Sequence, residues 1–278
     1  GAMGVRMAQT LLKANYPVVV YNRTPDKATP LTEQGAVYAA TPKAAAEQAD
    51  VVISMVTDNA ASETVWLTPN TGALYGLRPD TIAIASSTLT VAWTRSLASA
   101  IAQQGAKFLD APVAGSRPQA EAGKLIYLVG GEASTLAAVA DILQILGSAT
   151  YHLGSVGQGM AMKLAVNALF GIQVAAMAEI LGLLTHLGLS SEATMACLGE
   201  LPVTSAAAKG AGTLMAKGMY TPMFPIELVA KDFGYVTQTA TAVDASTPMT
   251  TAALEVYKQA IAQGLGEDNI TGVAQIFT

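Results

Sequence analysis

Apolar residues in the first half of the chain recur with two alternating periods. Short runs rich in β-branched residues, at 18–21, 51–55, 81–85, 107–111 and 125–129, read as strands. Val18-Val19-Val20-Tyr21 and Val51-Val52-Ile53-Ser54-Met55 are nearly continuous apolar runs, as suits strands covered on both faces of a parallel sheet. Between the runs the period lengthens. Gly4 followed by Met7, Ala8, Leu11 and Leu12 reads as an amphipathic helix. Thr41-Pro42 offers a capping hydroxyl and a first-turn proline to a helix over 43–48. Further helices are expected over about 90–104 and over 132–146, with a short edge strand at 150–152.

After Leu153 the strand signal stops. Alanine-rich helical segments follow at 157–186, 191–198, about 205–217, 226–242 and 250–264. The change of pattern predicts an α/β fold: a Rossmann-type, doubly wound parallel sheet over 1–155, then an all-α domain over 156–278, joined by a long helix. No internal repeat, low-complexity segment or flexible linker interrupts the chain.

Composition narrows the function. With 278 residues, 51% of them hydrophobic, the chain can bury a core in each of two domains. A net charge of -5 and the lack of a Lys/Arg run argue against a nucleic-acid partner, so an anionic ligand must be met by a few local cations and backbone amides. Cys197 is the only cysteine, so no internal disulfide forms, and a cytoplasmic location is expected. His152 and His186 are the only histidines and no metal site is expected. The apolar run 164–184 is long enough to span a bilayer, but Asn167, Gln173 and Glu179 interrupt it and no basic flank follows. A buried helix shared between subunits, with no membrane partner, is the expectation.

Candidate chemistry gathers at 154–167, where Gly154, Gly157 and Gly159 lead into the long helix. Lys163 and Asn167, four residues apart, project from one face. From Gly157 to His186 the only other formally charged residue is Glu179. A lysine among Met160, Met162, Leu164 and Val166 either snorkels to the surface or faces a polar cleft, and in a cleft it suits proton transfer near neutral pH. Gly157 and Gly159 leave room for a backbone or a ligand beside it. Asn22-Arg23-Thr24 closes the 18–21 strand, the place where an acidic residue favours NAD in a dinucleotide fold. No carboxylate is present, while the planar donors of Arg23 suit a 2'-phosphate, so NADP is expected over NAD. Met55-Val56-Thr57 leaves the carboxyl end of a strand, where open α/β sheets bind ligands. The loop 112–123 is rich in small residues whose backbone amides can receive a carboxylate.

The pattern G-x-x-G-x-G-x-x-x-K-x-x-x-N at 154–167 resembles the catalytic segment of the β-hydroxyacid dehydrogenases, the family of 3-hydroxyisobutyrate dehydrogenase and the glyoxylate/succinic semialdehyde reductases. Three further stretches resemble that family, in family order. Gly1 and Gly4 are similar to the last two glycines of its G-x-G-x-x-G turn, which implies that Gly1, Ala2 and Met3 meet the cofactor and that the preceding strand lies upstream. Asp110 to Gly123 resembles the substrate loop D-A-P-V-S-G-G followed by A-x-x-G, with Ala114 for the serine and Ser116 for the second glycine. Phe224 to Asp232 resembles F-x-x-x-L-x-x-K-D.

The resemblance implies roles for these residues. Ser87-Thr88 matches a Ser-Thr beside the nicotinamide ribose; Ala114, Gly115, Ser116, Asn167 and Lys231 would meet a small carboxylate-bearing substrate, Lys231 also approaching the cofactor. Lys163 would be general acid and base for hydride exchange between NADP and a small β- or γ-hydroxy acid, in a cleft between the domains, with Asn167 fixing the substrate. Gly115-Ser116-Arg117-Pro118 looks closer to the glyoxylate/succinic semialdehyde branch. A homodimer or homotetramer is expected. The alternatives are an imine reductase and a catalytically silent NADP-binding module, architectures that usually lack the lysine. 6-Phosphogluconate dehydrogenase, also related, has a much larger helical domain.

Overall fold

The strands expected in the first half are present in the computed structural model, which describes residues 1–277. Two compact units emerge, one from Gly1 to Lys163 and one beginning at Leu164. In chain order the first contains α1 (Ala2–Lys13), β1 (Val19–Val20), α2 (Thr29–Thr32), β2 (Val37–Tyr38), α3 (Pro42–Ala46), β3 (Val51–Ser54), α4 (Asn59–Leu67), β4 (Ile82–Ala85), α5 (Val91–Gln103) and β5 (Lys107–Asp110). There follow β6 (Val113–Ala114), α6 (Arg117–Glu121), β7 (Leu125–Gly131), α7 (Ala133–Ala137), α8 (Ala140–Leu146), β8 (Gly147–His152) and the first residues of α9 (Gln158–His186).

Strands β3, β4 and β5 are parallel, with Val51 opposite Ile82 and Ile82 opposite Lys107. Beyond β5 the sheet turns antiparallel through Leu109 and Asp110 against Gly131 and Gly130 on β7, which in turn pairs with β6 and β8. β1 and β2 form a separate parallel pair.

Strand β4 shows why helices cover both faces. Its Ile-Ala-Ile-Ala sequence alternates, so Ile82 and Ile84 join Met7, Leu109, Val129, Leu143 and Leu146 in one core. Ala83 and Ala85 join Trp66, Leu97, Ile101 and Phe108 in another. Each large side chain removed from water there contributes roughly 1.5–3 kcal/mol.

The structure adds β2, and β6 and α6 within the expected loop 112–123, and two helices depart from the sequence expectation. Helix α4 begins at Asp58, whose carboxylate accepts from the Ala61 amide at 2.7 Å, a cap that no apolar period announces. The helix expected over 132–146 is divided into α7 and α8 because Val139 leaves the helical region, at φ -120° and ψ 12°.

The second unit holds the rest of α9 with α10 (Ser191–Leu198), α11 (Ala206–Ala216), α12 (Ile226–Thr241), α13 (Pro248–Ala262) and a closing 3-10 segment, Ile270–Phe277. Val174, Met177, Ala178 and Leu181 of α9 meet Met195, Met215, Ile226, Phe233 and Tyr257 in one core. Phe233 and Tyr257 pack edge to face, their ring centres 5.6 Å apart, and the Tyr257 hydroxyl donates to the Gly171 carbonyl at 2.7 Å. Gly171 is required by that arrangement, since a Cβ there would lie 2.5 Å from the Phe233 ring. Gly171→Ala should therefore destabilise the protein by about 1–3 kcal/mol through overpacking. Urea unfolding followed by circular dichroism measures this, and an unchanged midpoint would refute the assignment.

Candidate active site

Helix α1 starts at the second residue, so its first-turn amides have no partner within the helix. The Gly1 nitrogen lies 3.5 Å from Asn22 Oδ1, and Asn22 Nδ2 donates to the Thr24 carbonyl at 2.8 Å. Two of the expected cofactor segments, Gly1-Ala2-Met3 and Asn22-Arg23-Thr24, are thus adjacent. Arg23 and Thr24 are exposed. A helix N-terminus with Asn22 beside it and the exposed Arg23 next in the chain fits a dinucleotide's phosphates.

Met55, Val56 and Thr57 leave β3 as expected, and the Thr57 hydroxyl donates to Asp58 at 3.0 Å. Ser87, 1% exposed, uses its hydroxyl to accept the Val56 amide at 2.7 Å, tying the end of β4 to the end of β3. Ser87 therefore braces the Met55–Thr57 turn, and Thr88, partly exposed, is the member of the pair with access to a ligand.

The loop after β5 is closed on itself. Gly115 takes φ +119°, and a Cβ there would press on Gln119 and Leu125. The Ser116 amide, expected to face a substrate carboxylate, and the Ser116 hydroxyl both donate to Gln119 Oε1, at 2.9 and 3.2 Å. The glutamine at the third residue of α6 closes back on the helix start, a capping arrangement that leaves Ser116 occupied. Ala114, partly exposed on β6, presents only a methyl group.

Gly157 and Gly159 do make room, Gly157 for the Arg95 and Val91 side chains and Gly159 for the backbone of β5 and β7. A Cβ on Gly159 would meet the Leu128 and Asp110 carbonyls and the Gly130 amide; one on Gly130 would lie 2.5 Å from Asp110 Oδ1. Asp110, fully buried at the end of β5, accepts the Gly157 amide at 2.8 Å through Oδ1 and the Met160 amide at 2.7 Å through Oδ2. Burial pushes its carboxyl above the usual range, against the pull of those two amides and of the Arg95 charge. The motif match includes Asp110, but its partners are 47 and 50 residues away, so no local signal shows what it does.

Lys163, partly exposed, and Asn167, 7% exposed, stand on α9 about 6 Å apart along its axis, as four residues of helix require. Asn167 Nδ2 donates to Asp232 Oδ2 at 2.6 Å, and Asp232, 2% exposed, receives the Lys231 ammonium at 3.0 Å on Oδ1. That ammonium also lies 5.0 Å over the ring of Tyr235. The Lys231-Asp232 pair thus serves Asn167, fixing its amide with the carbonyl oxygen turned away from the carboxylate. Tyr235 and Gln119 are the contacts that sequence reasoning missed. Among the described residues no group of three or more His, Cys, Asp or Glu side chains could hold a metal ion.

A family model for the NAD-binding domain of 6-phosphogluconate dehydrogenase matches residues 1–169, and one for the NAD-binding segment of NADP-dependent 3-hydroxyisobutyrate dehydrogenase matches residues 157–277. Glyoxylate/succinic semialdehyde reductase 2 of Arabidopsis thaliana is 34% identical over 99% of this chain and 76% of its own. The structure of Mycobacterium tuberculosis 3-hydroxyisobutyrate dehydrogenase with L-serine is 26% identical, with a TM-score of 0.89 over 99% of this chain and 96% of that one. An imine reductase from Myxococcus stipitatus in complex with NADP+ is 21% identical, with a TM-score of 0.66 over 99% and 96%, a likeness of fold alone. Fold and relatives together define an oxidoreductase built on a dinucleotide-binding domain. The chain belongs to the β-hydroxyacid dehydrogenase family, with the 3-hydroxyisobutyrate dehydrogenases and glyoxylate/succinic semialdehyde reductases.

If Asp232 holds the Asn167 amide, Asp232→Leu leaves that amide and the Lys231 charge without their shared partner. Steady-state kinetics should then show kcat/KM for the carbonyl substrate reduced roughly 10–100-fold, the equivalent of a lost charge-assisted hydrogen bond. NADPH affinity measured by fluorescence titration should stay within a factor of about three, and an unchanged kcat/KM would contradict the role.

Proposed function

We propose that the protein is an NADP-dependent reductase and dehydrogenase that interconverts a small hydroxy acid and its aldehyde or keto acid, with Lys163 as the proton donor and acceptor. The observation that carries this reading is Lys163 one helical turn from an Asn167 amide held by the buried Asp232. The exposed Arg23 beside the start of α1, with no carboxylate at 21–24, supports NADP over NAD. The named relatives support glyoxylate, succinic semialdehyde or 3-hydroxyisobutyrate as the substrate type. The bound cofactor supplies or accepts a hydride at the reacting carbon.

In reduction, Lys163 gives a proton to the carbonyl oxygen as negative charge develops there, leaving the alcohol and a neutral lysine. In oxidation the neutral amine removes the hydroxyl proton. Asn167, its Nδ2 committed to Asp232, offers Oδ1 to the substrate hydroxyl or to the Lys163 ammonium, which makes it an acceptor at this site. In this reading the Gly115–Ser116 segment receives the substrate carboxylate once the Gln119 side chain moves off Ser116. An exposed free thiol at Cys197 supports a cytoplasmic location.

The apolar side chains of α9 support self-assembly. Its unburied side, continued by Leu187, has a regular spacing. Met162, Val166, Leu169, Gln173, Ala176, Ile180, Leu183 and Leu187 alternate steps of four and three residues, and all are at least partly exposed. This is the repeat that keeps a seam facing a partner helix. Reversed about its midpoint the seam matches itself: Met162 meets Leu187, Val166 meets Leu183, Leu169 meets Ile180 and Gln173 meets Ala176. That self-complementarity supports a second copy of this chain, antiparallel and two-fold related, as the occupant.

Lys163→Ala should lower NADPH oxidation with glyoxylate or succinic semialdehyde by roughly two to four powers of ten while NADPH binding persists; wild-type turnover in the variant would end the proton-transfer reading. Light scattering should give a dimer mass for the wild-type chain at micromolar concentration and a monomer mass for the folded Leu169→Asp/Leu183→Asp double variant. A monomeric wild type would exclude the seam.

A further inference from the structure

We propose that Asp110 is a positioning residue for Lys163, its carboxylate setting where α9 begins and hence how the lysine is presented. Three observations carry this. The residue before α9 is Gly157, at φ +93°, which has no side chain with which to cap the helix. The third helical residue is Met160, with no polar atom to reach back. Asp110 supplies both missing acceptors from a different element, one carboxylate oxygen on each amide, at 2.8 and 2.7 Å.

The seat is built to admit nothing else. Gly130 and Gly159 lack the Cβ atoms that would collide with the carboxylate and with the backbone of β5 and β7, while Arg95 of α5 lies over Gly157. A negative charge at this end of a 29-residue helix is favoured by the unpaired amides and their dipole. Because an α-helix turns 3.6 residues per turn, fixing the Met160 amide fixes the direction of Lys163 three residues on. On the opposite side Met160 is anchored as well, its sulfur receiving the Leu89 amide at 3.1 Å. Lys163 is thus oriented through the helix start that the end of β5 holds.

The kinetic consequence rests on Lys163 as proton carrier; the structural consequence does not. Asp110→Asn in the full chain replaces one acceptor with an amide nitrogen facing an N–H donor, and Gly130→Ala crowds the carboxylate without removing it. Amide hydrogen exchange in the absence of ligand should rise roughly tenfold or more at Gly157 and Met160, with Val174 and Ala178 of α9 unaffected. With NADPH and glyoxylate or succinic semialdehyde, kcat should fall roughly tenfold or more at substrate KM and NADPH Kd values within twofold of wild type. Unchanged exchange at both amides in both variants would overturn the helix-start role. Faster exchange with unchanged kcat would overturn the positioning of Lys163, and so would a kcat loss matched by equal losses of Kd and thermal stability. Wild-type turnover in Lys163→Ala would instead remove the proton-transfer reading, with the exchange result still deciding what Asp110 holds.

Discussion

The hydrogen bonds between the Asp110 carboxylate and the first turn of α9 connect the sheet to the helix that bears Lys163 and Asn167. A carboxylate removed from water is costly unless every oxygen finds a donor. Here the donors are amides that the helix start leaves unsatisfied in any case, so two deficits cancel. The glycines around it follow from that requirement. Gly130 and Gly159 bring backbone, carboxylate and helix start within contact distance, and Gly157 leaves room for the Arg95 side chain.

Helix α9 has three unlike surroundings along one apolar sequence. Its start is held by polar bonds to β5, its middle is packed through Gly171 against Phe233 and Tyr257, and its remaining face bears the heptad-spaced seam. A helix this apolar could cross a bilayer by length and composition alone. Within the protein one side of it enters the helical core. The Lys163–Asn167 stripe lies one residue round from that seam, about 100° away. Two polar side chains among apolar neighbours are tolerable there because Asn167 has a buried ionic partner in Asp232.

Much of this was legible in the sequence because it depends on local periods. The β-branched runs located the parallel strands within one or two residues, and the shift to alanine-rich segments located the helical half. The Lys163–Asn167 spacing needs only helix geometry. What escaped depends on partners far along the chain or on single capping atoms. Asp110 reaches Gly157 across 47 residues and Asn167 reaches Asp232 across 65. The Asp58 cap creates a helix with no apolar stripe, and Val139 interrupts one whose pattern looks continuous. The sheet's antiparallel side is decided by the few pairs of β5 with β7, which the composition of either strand does not reveal.

The Gln119 side chain has a consequence for selectivity. By sitting on the Ser116 amide and hydroxyl it acts as an internal competitor, an amide oxygen tethered where a ligand's oxygen would bind. Any anion that uses this position binds with its intrinsic affinity scaled by the fraction of molecules in which the glutamine has swung out. Monovalent anions that gain little from a single amide cannot shift that equilibrium. A ligand with more than one attachment can, so a donor pair covered in this way discriminates by the number of simultaneous attachments more than by charge.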